Sequence, residues 1–501
     1  MTKLGLNHRN QITTNHSLAG KIPKKEPKRK NTSVIHVFKA FILLGILGEG
    51  YMLYMQVEKS SSDYSLGTSS TTSDDGKNKE QEELIKLKAK VEYMEKTLEE
   101  NEKKQQEISK PFPRPPQCTQ DQLMKVRSQL PPEFCVHTQD QPYVQSCSFT
   151  QATKCPQATW LEEYNIELQK MNSTKNNPPS FLGISVGCNK GYDAINTLRM
   201  GTFDASINKS DWKKEMTKHG ALDISVCDQD TASDMFEVLP PYDTESTPHP
   251  HGEMHCIEPM PQSFERLKQS TDALSYSKKG LVVTNAAVSK ESGEMLFHTG
   301  GLKAGIENKG LDSCGRLNEE QREKYCTLVP VYSLYDYFKT HVKADKKDPI
   351  NILSIDVEGF DGDVLLGATP EILKRVEYLE FEYNWMGSWK NQHLYDIVKM
   401  LDESADMMCY WAGEGRLWRI TDCWMSYYDI HHWSNVACVN RARVPTLASK
   451  METIFLRSLE DSKIWIKGGS SESDLELLRK KYSDHVLMSV DEEYLGMKYY
   501  K

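Results

Sequence analysis

The stretch FLGISVGCNKGYDAINTL, residues 181–198, decides the fold class. Phe181–Val186 is a short apolar run with the length and composition of a buried strand. It enters Gly187-Cys188-Asn189-Lys190-Gly191, after which Ala194, Ile195 and Leu198 recur at helical spacing. A strand, a Gly-x-x-x-Gly turn and a helix in succession form a nucleotide-cofactor corner. Glycine lets the backbone turn sharply and come close to a ligand, and the helix N-terminus brings N–H groups beside it. Gly187, Asn189 and Gly191 are therefore candidate cofactor-binding residues. Such a turn also occurs in plain loops, so the corner needs support from the rest of the chain.

That support lies downstream. Met254–Ile257 (MHCI) is a second apolar run, and it ends in Glu258-Pro259. An acid closing the second strand of such a sheet accepts hydrogen bonds from the ribose hydroxyls of a nucleoside, which makes Glu258 a cofactor candidate. Glu258 follows Gly191 by 67 positions, where about 20 is usual. Much of residues 201–250 therefore reads as an insertion. Asn351–Ile355 (NILSI) is a third run and leads into Asp356-Val357-Glu358-Gly359, with Asp361 close behind. Val376–Phe381 (VEYLEF) is a fourth, with Glu380, Glu382 and Asn384 near its end. Acids at the carboxyl ends of parallel strands face the ligand crevice. Strands alternating with helical stretches predict an α/β, Rossmann-like, doubly wound sheet.

The same pieces carry a family resemblance. VGCNKG (186–191), IEP (257–259), NAAVSKESGEMLF (285–297), SLYDYF (333–338), IDVEGFDGDVLLGA (355–368) and WSNVACV (433–439), in that order, resemble the FkbM-type methyltransferases. The fifth piece is the most specific. The resemblance covers about residues 180–442. It implies a Rossmann-like fold, S-adenosylmethionine as methyl donor, and O-methylation, often of sugars. By position it gives Gly187, Asn189 and Gly191 to the cofactor turn, Glu258 to the ribose, and Asp356 and Glu358 to the catalytic acidic motif. Two positions depart from the family's pattern. Ser185 stands where an acid is usual, and Ser354 where a lysine is common.

The 501 residues carry a net charge of −9, unevenly spread. Residues 1–33 hold eight Lys or Arg and a single acid. The acidic remainder argues against nucleic acid, whose phosphates need clustered cations. Residues 34–57, VIHVFKAFILLGILGEGYMLYMQV, are long enough to cross a bilayer as one helix. The basic tail at 1–33 predicts a cytoplasmic N-terminus, hence a single-pass type II anchor with its catalytic domain in the ER or Golgi lumen. Residues 58–116 read as a flexible linker and a stem. There Leu84, Leu87, Val91, Met94 and Leu98 follow a heptad that predicts a parallel homodimer through 84–101. A cysteine-containing pre-domain follows at 117–179, and a C-terminal extension occupies 443–501.

None of the twelve cysteines forms a CxxC pair, so no zinc ribbon or dithiol redox motif is indicated. Cys118, Cys135, Cys147 and Cys155 cluster ahead of the main domain and predict disulfides in an oxidising lumen; Cys314 and Cys326 bracket a polar loop and are a further candidate pair. Asn172 and Asn208 begin N-glycosylation sequons. No metal site is expected: His431, His432 and Trp433 read as packing residues, and His298 as a surface residue at a strand end. Two other readings compete. Asp361-Gly362-Asp363 resembles the metal-binding Asp-x-Asp of a type II glycosyltransferase. A catalytically silent scaffold assembled through the stem is the other. The Gly turn and the acidic motif favour a methyltransferase acting on a carbohydrate acceptor.

Overall fold

In a computed structural model the protein is described over residues 110–130, 158–174, 180–221, 252–299, 317–343, 348–429 and 433–460, with a few isolated positions besides. The expected membrane span at 34–57 lies outside the described residues, as does the heptad stretch 84–101 except Lys86, Tyr93, Lys96 and Thr97, which are helical. Among the described residues no helix is long and apolar enough to cross a membrane. Everything below concerns the compact unit Leu98–Lys501.

Its elements run α1 (Gln120–Gln129), α2 (Leu161–Thr174), β1 (Phe181–Val186), α3 (Tyr192–Thr202), α4 (Lys209–Lys218), β2 (Gly252–Ile257), α5 (Pro261–Ala273) and β3 (Leu281–Thr284). They continue with β4 (Ala287–Ser289), β5 (Gly293–His298), α6 (Glu319–Tyr325), β6 (Cys326–Ser333), α7 (Leu334–His341), β7 (Ile350–Ile355), α8 (Asp361–Leu366) and α9 (Pro370–Leu373). The last are β8 (Val376–Tyr383), α10 (Leu394–Ala405), β9 (Met407–Ala412), β10 (Leu417–Arg419), β11 (Ser434–Asn440) and α11 (Pro445–Ser458).

Eight strands form one sheet in the order β10-β9-β11-β8-β7-β1-β2-β3. From β3 through β8 the pairings are parallel. The strand order runs outward one way from β1 through β2 and β3, then the other way from β7. The sheet thus has a doubly wound switch point between β1 and β7. Beyond β8 the pairings are antiparallel, because β11 is inserted between β8 and β9. A three-stranded sheet, β4-β6-β5, sits within the β3-to-β7 crossover.

Burial explains these elements. All six residues of β1, all six of β7 and all eight of β8 are buried, as expected for central strands covered on both faces. Helix α3 lays Ala194, Ile195 and Leu198 toward the sheet, where they share a core with Met254 and Cys256 of β2 and Leu267 of α5. Trp212 and Met216 of α4 close that core, so the expected insertion at 201–250 contributes a packed helix in its first part; residues 222–251 lie outside the described residues.

The packed body extends past both ends of the 180–442 region. Leu123, Trp160 and Tyr164 on one side of it and Leu447, Met451 and Phe455 on the other share the main core with β7, β8 and β11. Trp160 Nε1 donates to the Tyr378 hydroxyl (2.9 Å), and the Tyr164 hydroxyl donates to Glu377 (2.5 Å). The described parts of the pre-domain and of the extension, up to residue 460, pack as layers of this domain.

Four disulfides are described: Cys118–Cys423, Cys188–Cys256, Cys314–Cys326 and Cys409–Cys438. Cys314–Cys326 is the expected pair. Cys118 departs from expectation: it bonds across 305 positions rather than within its own cluster. The PFPRPP segment carries it there, since Phe112 N–H donates to the Arg441 carbonyl and Arg114 forms ion pairs with Asp402 and Asp422. Cys147 and Cys155 lie outside the described residues, and the Cys135 side chain is likewise not described.

Candidate active site

The carboxyl ends of β1, β2, β7 and β8 converge on the switch point, and every site residue expected from the sequence follows one of them. After β1 the chain takes a left-handed conformation at Gly187 (φ +82°), Asn189 (φ +47°) and Gly191 (φ +75°). The N–H groups of Gly187 and Cys188 both donate to the Ile257 carbonyl at 3.0 Å, and Gly191 N–H closes the turn onto the Cys188 carbonyl at 2.7 Å. Helix α3 starts at this point with Gly191 as its N-cap and no side-chain cap. The Cys188–Cys256 disulfide ties the turn to β2.

The glycines are required for a reason other than the one expected. A Cβ on Gly187 would lie 1.7 Å from the Asp356 carbonyl oxygen, and one on Gly191 would lie 2.9 Å from Leu267 and 3.1 Å from Trp212. What excludes a side chain is protein, and at Gly187 it is the backbone of the acidic loop itself. Asp356 N–H donates to the Val186 carbonyl (2.9 Å), so the cofactor turn and the acidic motif touch backbone to backbone.

Glu258 closes β2 and is buried. Its Oε2 accepts the Asn189 N–H (2.7 Å) and its Oε1 the Met260 N–H (2.8 Å). Burial pushes its pKa up to about 7 against the lowering effect of those two N–H groups. Asn285, just after β3, donates to the carbonyls of Glu258 and Pro259 and fixes this corner. Glu258 is thus a latch between the turn and the start of α5. Each of its oxygens has a further lone pair for a ligand hydroxyl. The Asn189 side-chain oxygen is buried with no hydrogen-bond partner among the described residues, an acceptor that a bound group would satisfy. These two observations fit a nucleoside-bearing cofactor; the glycines by themselves do not bear on it.

The acidic motif splits into different environments. Asp356 is exposed at the end of β7, and Glu358 is half-buried with φ +56°. Asp361 is fully buried, and its two oxygens accept the Gly359 and Glu382 N–H groups, both at 3.3 Å. Burial, then the charge of Asp356, drive the Asp361 pKa well above the usual carboxylate range. Asp363 accepts from the Gln392 side chain (2.7 Å). Asp361-Gly362-Asp363 is therefore a loop brace, and Asp361 is out of reach of a sugar nucleotide's metal. Among the described residues no group of three or more His, Cys, Asp or Glu is arranged to hold a metal ion.

Glu382, at the end of β8, accepts from the Trp433 indole N–H and from Asn384 Nδ2 (2.8 Å). Burial, then Asp356, Glu358 and Asp361, raise its pKa far above normal. The loops after β7 and β8 are pinned together, since Ser388 N–H donates to the Gly359 carbonyl (2.9 Å). Trp433 is half-buried and packs edge-to-face against Trp385. His431 is a packing residue: its Nε2 donates to the carbonyls of Trp389 (2.7 Å) and Gln392 (3.2 Å). His298 ends β5 in the small sheet, near Tyr325. Sequence reasoning does not reach Trp385, because nothing in its local neighbourhood connects it to Trp433, 48 positions away.

The two departures from the family pattern are one structural event. Ser185 in β1 and Ser354 in β7 are register partners, and Ser354 pairs in turn with Glu380 in β8. An acid and a lysine at these places would be neighbours. Without them Glu380 stays buried; burial pushes its pKa up to about 8, the Tyr378 hydroxyl lowers it, and Asp193 raises it.

No protein of curated function matches the chain. A crystal structure of the methyltransferase FkbM from Methylobacillus flagellatus KT is similar over 56% of this chain, at 12% identity and a TM-score of 0.25. The similarity covers 50% of that protein, and a likeness so loose carries no argument about fold or function. The family comparison is more informative. The matched stretch includes Glu258 and the whole acidic motif, while the Gly turn precedes it. Residues 237–407 match the family described as the Methyltransferase FkbM domain, and that stretch of the chain is similar to it.

Proposed function

We propose that the protein is a membrane-anchored, S-adenosylmethionine-dependent O-methyltransferase acting on a carbohydrate in the secretory pathway. One observation carries the reading: the family-matched acids Glu258 and Asp356 stand at the switch point, and Asp356 touches the Gly turn. When bound, S-adenosylmethionine supplies a methyl group already activated on a sulfonium. The protein's own residues then have to align the acceptor and take its proton. Asn189 and Glu258 hold the nucleoside end. Asp356, the exposed acid at the strand end, accepts the proton of the acceptor hydroxyl as the new C–O bond forms. Glu358 holds the loop or an acceptor hydroxyl.

The four disulfides support an oxidising compartment. The basic tail ahead of residues 34–57 supports a type II anchor, and the heptad at 84–101 supports a homodimer. The test is full-length protein incubated with methyl-labelled S-adenosylmethionine and a glycan panel. Transfer of label to a carbohydrate is expected. No transfer, together with no binding of S-adenosylhomocysteine in calorimetry, sinks the reading.

A further inference from the structure

The turn that carries Gly187, Asn189 and Gly191 is covalently bonded to the strand that leads to Glu258. Val186 and Ile257 are the last register partners of β1 and β2, so the ladder ends where the turn begins. Cys256 is the register partner of Ser185. Had β1 run on as a strand, residue 188 would stand about 10 Å beyond that level, at roughly 3.3 Å per residue. The Cα atoms of Cys188 and Cys256 are instead 5.3 Å apart. The chain therefore folds back over the end of β2 at Cys188, and the disulfide closes that fold.

The hydrogen bonds that accompany it are few. Gly187 and Cys188 share one acceptor, the Ile257 carbonyl, each at 3.0 Å, and Asn189 N–H reaches Glu258 Oε2 at 2.7 Å. The residues on either side of Cys188 are left-handed, Gly187 at φ +82° and Asn189 at φ +47°. A non-glycine residue keeps that conformation only where its surroundings enforce it. Asn189 is also the residue whose buried side-chain oxygen has no partner among the described residues. The position that a nucleoside would meet is thus held from the residue next door, by a covalent bond. The other described disulfides lie elsewhere. Cys409–Cys438 joins register partners of β9 and β11 beyond β8, Cys314–Cys326 ends at the start of β6 in the small sheet, and Cys118–Cys423 anchors the Pro-rich segment.

We infer that the Cys188–Cys256 bond is a redox gate on the cofactor site: the turn is ordered for S-adenosylmethionine when the bond is closed, and the affinity is lost when the pair is reduced. The inference rests on the methyltransferase reading above and adds regulation of its cofactor site. Cys256 is fully buried and Cys188 is 8% exposed, so a small thiol reaches the bond from the Cys188 side. Its thiolate attacks Cys188 Sγ and expels Cys256 as a thiolate, which takes up a proton. The second thiol of a low-molecular-weight dithiol then displaces Cys188, leaving two protein thiols and the reagent as its own disulfide. A disulfide reagent reverses both steps. A chain that has met no oxidant therefore lacks an ordered cofactor turn, and oxidation is the step that completes the site.

The test uses the full-length protein, oxidised and after dithiothreitol. Alkylation with peptide mapping counts the thiols of each pair, calorimetry reads S-adenosylhomocysteine affinity, and amide hydrogen exchange reads residues 188–191. Affinity should fall about tenfold or more as the 188–256 pair opens. It should track the reduction of that pair rather than of the other three, and return on reoxidation with glutathione disulfide. Exchange at 188–191 should quicken in step. Cys188→Ser with Cys256→Ser, which keeps the side-chain shapes without the bond, should bind as the reduced protein does under either condition. Cys314→Ser with Cys326→Ser should bind as wild type. Wild-type affinity in the folded 188/256 double variant, or in protein whose 188–256 pair is mapped as reduced, overturns the inference. Should the double variant fail to fold, reduced wild type decides: loss of affinity with the fold intact by circular dichroism supports the gate. Loss only on global unfolding overturns it, because the bond would then hold the fold and not the turn. If the oxidised protein binds no S-adenosylhomocysteine, the methyltransferase reading falls. Bond-dependent exchange at 188–191 would then retain the gate for another ligand, and bond-independent exchange would discard it too.

Discussion

Replacing Gly187 by alanine separates two costs that the structure allows to be measured independently. The first is conformational: at φ +82° an L-residue pays about 1–2 kcal/mol. The second is collision. The new Cβ would sit 1.7 Å from the Asp356 carbonyl oxygen and 2.7 Å from its carbon, both backbone atoms that no rotamer change can move. Relief requires the acidic loop to part from the turn, which strains the Asp356 N–H bond to Val186 and the paired Gly187 and Cys188 N–H bonds to Ile257. At about 1 kcal/mol for each bond lost, two or three bonds bring the total to roughly 3–5 kcal/mol. Gly220 supplies the control, because it has φ +85° and a methyl added there would meet nothing within 4 Å. Gly220→Ala should therefore show the conformational cost alone. Urea unfolding of both variants reads the difference, expected at about 2–3 kcal/mol. Equal losses would show that the close approach of turn and acidic loop is not what requires glycine at 187.

The other expectations follow from the same geometry. Glu380 has a folded pKa of about 8 against an ordinary 4.5, so it binds more protons folded than unfolded. Its stabilising effect is full below pH 4.5 and is lost as pH rises through about 8. Glu380→Gln should flatten that decline, and urea midpoints at about pH 5.5 and 8.5 would check it. Removing the Cys188–Cys256 bond by a double alanine substitution opens a 68-residue separation, which costs about 4 kcal/mol on the chain-entropy relation; calorimetric unfolding measures it, and a loss below about 1 kcal/mol would contradict it. Asp356→Asn should keep S-adenosylhomocysteine affinity while turnover drops roughly 10²–10⁴-fold; wild-type turnover would remove Asp356 from the chemistry. In intact microsomes residues 60–501 should resist protease and carry glycosidase-sensitive mass at Asn172 or Asn208. Digestion of the domain there would refute the type II topology.

Several features are readable from local sequence because local physics fixes them. FLGISV, residues 181–186, is a strand to the residue, since a short, mostly apolar run bounded by turn signals is too short for a helix and suits a buried strand. The acid-tipped ends of β2 and β7 are legible for the same reason, since each strand stops where its apolar run stops; β8 runs on through Glu382 to Tyr383, two residues past its expected end. The Gly turn is legible as a turn, but the need for its glycines is not, because a sequence does not say which backbone a missing side chain makes room for.

Other features depend on which strands become neighbours. Register alone joins Ser185 to Ser354 and brings Glu380 beside them, turning two unrelated departures into one. Cys118 finds Cys423 only because the Pro-rich segment crosses the domain to Asp402 and Asp422. Asp361 and Asp356 are five residues apart on one motif, yet the first is buried as a brace and the second is exposed. The Trp385–Trp433 contact exists because β11 inserts antiparallel beside β8, which places the start of one strand against the end of the other. By itself the sequence determined the four strands that lead to the site, the turn and the set of acids, since each depends on residues within one turn or strand of itself. Tertiary structure alone decided which acid is a brace, which glycine is packed against what, and which aromatic rings meet, because those depend on contacts closed across tens to hundreds of residues.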